Sequence, residues 1–163
     1  MRSIDEFGGP EWRGRVSHSL RWASTNHFMY EGYWFWLIPI SDDVWSLGVS
    51  YHHDLKPLSF KNAEEFEKFA REHRCLNQLL GERSEFLDFQ GLKYLLRGSR
   101  QFFSEERWFL TGMSGFFVDP MFSSNSAAIA TNNRYIVSLI QATEEGRSEL
   151  FKNRIRHFNI NMR

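Results

Sequence analysis

A chain of 163 residues, 42% of them hydrophobic, can bury a core of ordinary size and is not of disordered composition. Its 20 basic and 20 acidic side chains cancel, which removes the electrostatic case for nucleic acid as a partner. One cysteine, Cys75, excludes an internal disulfide framework and a cysteine-based zinc site, and it fits a reducing compartment.

Residues 1–14 are polar and Gly-rich and read as a loop or frayed start, without the apolar run of a signal peptide. Residues 15–24 alternate, with Val16, His18, Leu20 and Trp22 on one side, which predicts a strand. The runs 33–40 and 44–53 are aromatic and β-branched and are separated by Ser41-Asp42-Asp43, the pattern of a hairpin with a polar turn. Pro39 cannot donate to a ladder, so the first of these strands bends or meets an edge there. The run 33–40 is also the longest apolar one and far too short to cross a bilayer, so a cytoplasmic protein with no membrane partner is expected.

Over 59–80 the period changes. Phe66, Phe69, Ala70, His73, Leu76, Leu79 and Leu80 recur at three- and four-residue steps, which predicts one amphipathic helix over about 62–80. Ser59 or Asn62 would cap it and Gly81 would stop it. Residues 85–104 and 107–112 return to short strand-like pieces. A second helix is expected from Ser126 to about Glu144, ended by Gly146, and the basic tail 146–163 is compatible with helix. The fold class is α+β: a mixed or antiparallel sheet over 15–107 with flanking helices, then a strand–turn–helix segment over 108–145.

Aromatic content is unusual, at 16 Phe, 6 Trp and 5 Tyr; such rings fill cores and also line pockets for flat ligands. His52-His53-Asp54 is the one histidine cluster, but neighbours on a strand point to opposite faces, so no metal site is expected. Gly112-Met113-Ser114-Gly115-Phe116 nearly mimics a nucleophile elbow, except that the second glycine falls one residue early. The stretch 110–130, LTGMSGFFVDPMFSSNSAAIA, concentrates special residues. Its glycines permit positive φ or close approach, and Ser123-Ser124-Asn125 suit a helix start whose free N–H groups could meet an anion or polar ligand. Tight packing and a ligand site account for these features equally well.

Two stretches carry a resemblance. GYWFWLIPI, with Trp34-Phe35-Trp36-Leu37-Ile38-Pro39, resembles the WxWxIP motif of flavin-dependent halogenases of the tryptophan halogenase-like kind. RWFLTGMSGFFVDPMFSSNS, residues 107–126, resembles their second flavin-contacting segment, and Ser46-Leu47-Gly48-Val49 mirrors the strand after the first motif. The resemblance runs from about Val16 to Gln141. It implies a partial FAD-dependent monooxygenase-type fold, in which reduced FAD reacts with oxygen and oxidises a halide ion that then halogenates an electron-rich aromatic substrate, free or carrier-bound. A flavin reductase is the implied partner. By position, Trp34, Trp36, Ile38 and Pro39 would keep substrate apart from flavin. Gly112, Met113, Gly115, Phe116, Asp119 and Pro120 would lie along the cofactor, and Ser124 and Asn125 would hold the halide.

The sequence departs from the family in several places. The family's acidic residue after the first glycine is Met113, whose thioether cannot accept a strong hydrogen bond. The turn glycine before the helix is Asn125, and the acid of tryptophan-specific members is replaced by Phe122, as in members acting on phenols or carrier-bound substrates. No G-x-G-x-x-G occurs and no lysine matches the family's catalytic one, so no catalytic residue is assigned. The expectation is a fragment of a halogenase-like oxidoreductase, lacking the N-terminal nucleotide-binding region and without activity of its own. The alternatives are a non-catalytic aromatic-ligand or interaction module, and a related flavin monooxygenase or oxidoreductase.

Overall fold

The structure, a computed structural model, describes residues 4–82, 85–118 and 120–162, with Phe122 by its backbone alone. The chain divides into two compact units, 1–91 and 92–163, each with its own core. Helices and antiparallel sheets together make it an α+β protein. Residues 92–107, read from sequence with the sheet, are in the second unit.

The first unit holds α1 (Gly9–Gly14), the strands β1 (Asn26–Tyr30), β2 (Tyr33–Pro39) and β3 (Trp45–Tyr51), and the helices α2 (Ala63–Arg71) and α3 (Arg74–Leu80). The strands form an antiparallel sheet in the order β1-β2-β3. The predicted hairpin is β2–β3, while β1 replaces the strand expected at 15–24. The reason is long-range: the buried Asp5 carboxylate accepts the N–H groups of Arg21 (2.8 Å) and Trp22 (3.0 Å) and folds 21–23 into a single 3-10 turn. The start is not a frayed loop either. Ile4 packs with Leu37 and Leu79, and Trp12 of α1 donates its indole N–H to the Ile4 carbonyl at 2.9 Å. Pro39 pairs with Trp45 alone, since β1 reaches only to the level of Leu37, so the missing donor faces no strand.

The period-2 alternation sorts β2. Phe35 packs with Phe66, Ala70, Leu76 and Leu80 of the helices, and Leu37 with Leu79, while Trp34, Trp36 and Ile38 take the opposite face. The helix expected over 62–80 is two. Asn62 does cap α2, its Oδ1 accepting the Glu65 N–H at 3.0 Å, and Gly81 ends α3 at φ +68°. Between them His73 turns extended, with ψ 114°. Its Nδ1–H donates to the Phe69 carbonyl at 2.9 Å, which leaves Nε2 to accept the Tyr33 hydroxyl at 2.8 Å. The break is thus held by β2, not by a helix-breaking residue.

The second unit holds β4 (Arg97–Gly98) paired with β5 (Phe116–Phe117), then α4 (Ser124–Glu144) and α5 (Ser148–Asn161). The strands expected over 85–112 reduce to β4 and one bridge, Phe103 to Phe109. Phe102 and Phe103 are buried because Asn159 of α5 satisfies their backbone: its Oδ1 accepts both N–H groups (2.8 and 3.1 Å) and its Nδ2 donates to the Phe103 carbonyl at 2.8 Å. Around them pack Leu139 and Ala142 of α4 and Phe151, Ile155 and Phe158 of α5. The basic tail is therefore a packed helix, joined to α4 at Gly146 (φ +69°).

Candidate functional site

Two groups of residues singled out by sequence lie one in each unit. On β2, Trp34 and Trp36 project to the same face with ring centroids 5.8 Å apart and planes tilted by 58°. Trp34 is almost fully buried and meets His27 of β1 edge-on at 5.0 Å. Trp36 is partly buried, and its Nε1–H donates to Ser46 Oγ of β3 at 3.1 Å. Ile38 follows on that face, half-buried, while Pro39 turns to the other face at the strand end. The register sets His27 and Gly48 opposite Trp36, and Met29 and Ser50 opposite Trp34. Beneath the opposite face, burial raises the phenols of Tyr33 and Tyr30 above the usual tyrosine value, with Glu72 adding to the first and Cys75 and Tyr33 to the second.

The corner is built by Thr111–Gly115 against α4. Thr111 caps a single 3-10 turn, Gly112–Ser114, with reciprocal bonds between Thr111 and Ser114. Its hydroxyl donates to Asn133 Oδ1 at 3.1 Å. Gly112 is buried with φ +55°, and a Cβ there would meet Ile129 Cγ1 at 3.0 Å. A Cβ at Gly115 would meet Phe102 Cε1 at 2.9 Å. Both glycines therefore have their open sides filled by the chain's own side chains, and neither forms an open cradle for a ring. What the corner exposes is the side chain of Met113, half accessible, whose carbonyl accepts Arg97 Nη2 at 3.0 Å, together with Ser114 and Val118. Phe116 is half-buried against Phe102, and Pro120 opens a 3-10 turn, Pro120–Phe122; Asp119 lies outside the described residues.

At the start of α4 the expected side-chain cap does not form. Ser123 adopts left-handed φ 52° and makes no cap hydrogen bond; the cap position is a backbone turn. Ser124 and Asn125 form the first helical turn. Asn125 Oδ1 is buried with no hydrogen-bond partner among the described residues. An anion accepts donors only, so a halide here would require the carboxamide turned to present Nδ2. Asn132, one turn beyond Ala128, is fully buried, and its Nδ2 reaches the Leu110 carbonyl only at 3.5 Å. Two depressions lie along α4, one lined by Asn133, Arg134, Val137, Ser138 and Gln141, the other by Arg107, Phe109, Ile140, Thr143 and Glu144. His52 and His53 follow the end of β3 and are exposed. Among the described residues no group of three or more His, Cys, Asp or Glu side chains could hold a metal, and no helix is long and apolar enough to cross a membrane.

The sequence reading passed over Ser46 and Gly48 as partners of Trp36. The signal was present as Ser46-x-Gly48-x-Ser50, small residues at a strand period, but only the register shows what they face.

Comparison with known proteins supplies the relationship. The chain is 30% identical over 138 residues, 83% of its length, to a flavin-dependent halogenase of Dictyostelium discoideum. The matched region amounts to 23% of that protein, so the chain spans less than a quarter of its relative. The chain thus resembles a flavin-dependent halogenase over most of its own length, while flavin dependence and halogenation are properties of the relative. No family model matches, and no solved structure matches.

Proposed function

We propose that this chain is the part of a halogenase-like flavin oxidoreductase that carries the tryptophan pair and the glycine-containing corner. Its reaction would be halogenation of an electron-rich aromatic compound, free or carrier-bound, from reduced FAD, oxygen and a halide ion, with a flavin reductase as electron source. The observation that carries this reading is the identity shared with a flavin-dependent halogenase over 83% of the chain. Flavin, when bound, supplies the oxygen activation. The residues of this chain would do three other things. Trp34 and Trp36 would wall off the aromatic substrate, with Ile38 and Pro39 finishing that strand. The backbone at 112–120, Asp119 included, would run along the flavin. Ser124 and Asn125 would meet the halide at the start of α4. A reducing cytoplasmic setting agrees with the lone thiol of Cys75, which is free.

The closed glycines leave Met113 exposed at the corner beside Ser114 and Val118, and a thioether offers a ribityl hydroxyl a poor acceptor. Weak FAD binding by the chain is therefore expected, and Met113→Asp should strengthen it in a fluorescence-quenching titration. No gain would remove the corner from the flavin site, and tight stoichiometric binding by the unaltered chain would overturn the expectation of weak binding. One observation favours a second reading, a non-catalytic module for aromatic ligands: Phe102 and Ile129 fill the space beside Gly115 and Gly112. A thermal shift by indoles or phenols without any FAD binding would support that reading, and no shift by either would exclude it.

A further inference from the structure

We infer that Ser46 and Gly48 are positioning residues that fix the indole of Trp36 and, through it, the geometry of the Trp34–Trp36 pair. The functional weight of that pair rests on the halogenase-like reading above; the positioning rests on geometry alone. In the β2–β3 register Gly48 stands directly opposite Trp36. A Cβ built at Gly48 would lie 1.9 Å from Cζ2 of Trp36 and 2.4 Å from both Cε2 and Cη2. These atoms belong to one rigid ring, so no small side-chain adjustment relieves the overlap. The indole lies across the β3 backbone at the one residue type that permits it. A strand-interior glycine weakens a strand, and close approach by a ring accounts for its presence here.

Ser46 supplies the second restraint. It precedes Gly48 by two residues, on the same face of β3, and accepts the Trp36 Nε1–H at 3.1 Å. A ring held flat by contact on one side and by a hydrogen bond at its edge has both side-chain torsions determined. The Trp34–Trp36 centroid distance of 5.8 Å follows from that placement, with His27 holding Trp34 edge-on from β1. Packing alone would require only a small residue at 46; the indole hydrogen bond requires a hydroxyl.

The test uses the chain itself, without flavin or substrate. With six tryptophans, the ¹⁵N–¹H indole resonance of Trp36 is identified by its loss in Trp36→Phe. Ser46→Ala should shift that resonance and speed its exchange with solvent, and Ser46→Thr should restore both. Gly48→Ala should move the resonances of Trp36 and Trp34 together. Far-ultraviolet circular dichroism checks that each variant is folded. An unchanged Trp36 resonance in folded Ser46→Ala, or failure of Ser46→Thr to restore it, overturns the inference even if Gly48→Ala does not fold. A merely structural serine would lower stability without moving this one signal. Such a result leaves the proposed function standing, whereas unchanged FAD binding in Met113→Asp bears on that function and leaves the positioning intact.

Discussion

A methyl group at position 115 would stand 2.9 Å from Cε1 of Phe102 and 3.3 Å from Cβ of Leu110, and Phe102 belongs to the core of its unit. Gly115→Ala is therefore expected to destabilise by about 1–3 kcal/mol through overpacking, read by urea denaturation. Tyr33 carries a different prediction. Its phenol is held above the usual tyrosine value of about 10 by burial and then by Glu72, and its hydroxyl donates to His73 Nε2. The native state keeps this proton at a pH where the unfolded chain has lost it. The associated stability is complete below pH ~10 and falls as pH rises through the higher native value. Tyr33→Phe should cost about 1 kcal/mol at neutral pH and flatten part of the alkaline decline in denaturation midpoint. At this scale the sequence exposed the tryptophans and the glycines but not their partners. Phe102 precedes Gly115 by a loop, and Gly48 meets Trp36 across a ladder, so neither contact follows from local pattern.

Among the elements, α2 begins on a side-chain cap and α4 does not. Asn62→Ala removes the bond to the Glu65 N–H and is expected to cost about 1 kcal/mol in thermal or urea unfolding. Ser123 sits at φ 52° without a cap bond, so Ser123→Gly is expected to stabilise by a few tenths to about 1 kcal/mol, and a loss instead would mean that the hydroxyl is used. The β2–β3 hairpin and α4 were legible because their signals are local: alternation with a polar turn, and a helical stretch closed by Gly146. The break between α2 and α3 was not, since its cause is Tyr33, 40 residues upstream of His73. The strand expected at 15–24 failed for the same kind of reason, Asp5 drawing the backbone of Arg21 and Trp22 into a turn.

For the whole molecule, the two cores give a direct expectation. Residues 87–96 contain no helix or strand, and Leu87, Leu92, Lys93, Tyr94 and Leu96 are exposed. Limited trypsin digestion should cut first at Lys93 and leave two fragments that resist further cleavage, measurable by mass spectrometry; first cleavage at Arg134 within α4 would contradict this. Composition gave no hint of that division, because the stretch is as apolar as the strands around it. What assigns 92–107 to the later unit is Asn159 pairing with Phe102 and Phe103, a contact spanning more than 50 residues. The two candidate motifs stood out in the sequence, one in each unit. The filling of the second motif's glycines by Phe102 and Ile129 did not, since motif spacing carries no information about what packs behind a turn.

The seat of Trp36 on Gly48 also bears on how the hairpin finds its alignment. A slip of one residue would bring Leu47 or Val49 under the indole and carry Phe35 and Leu37 out of the apolar interior. The glycine thus acts as a notch that admits the ring at a single setting, and misaligned pairings meet steric exclusion.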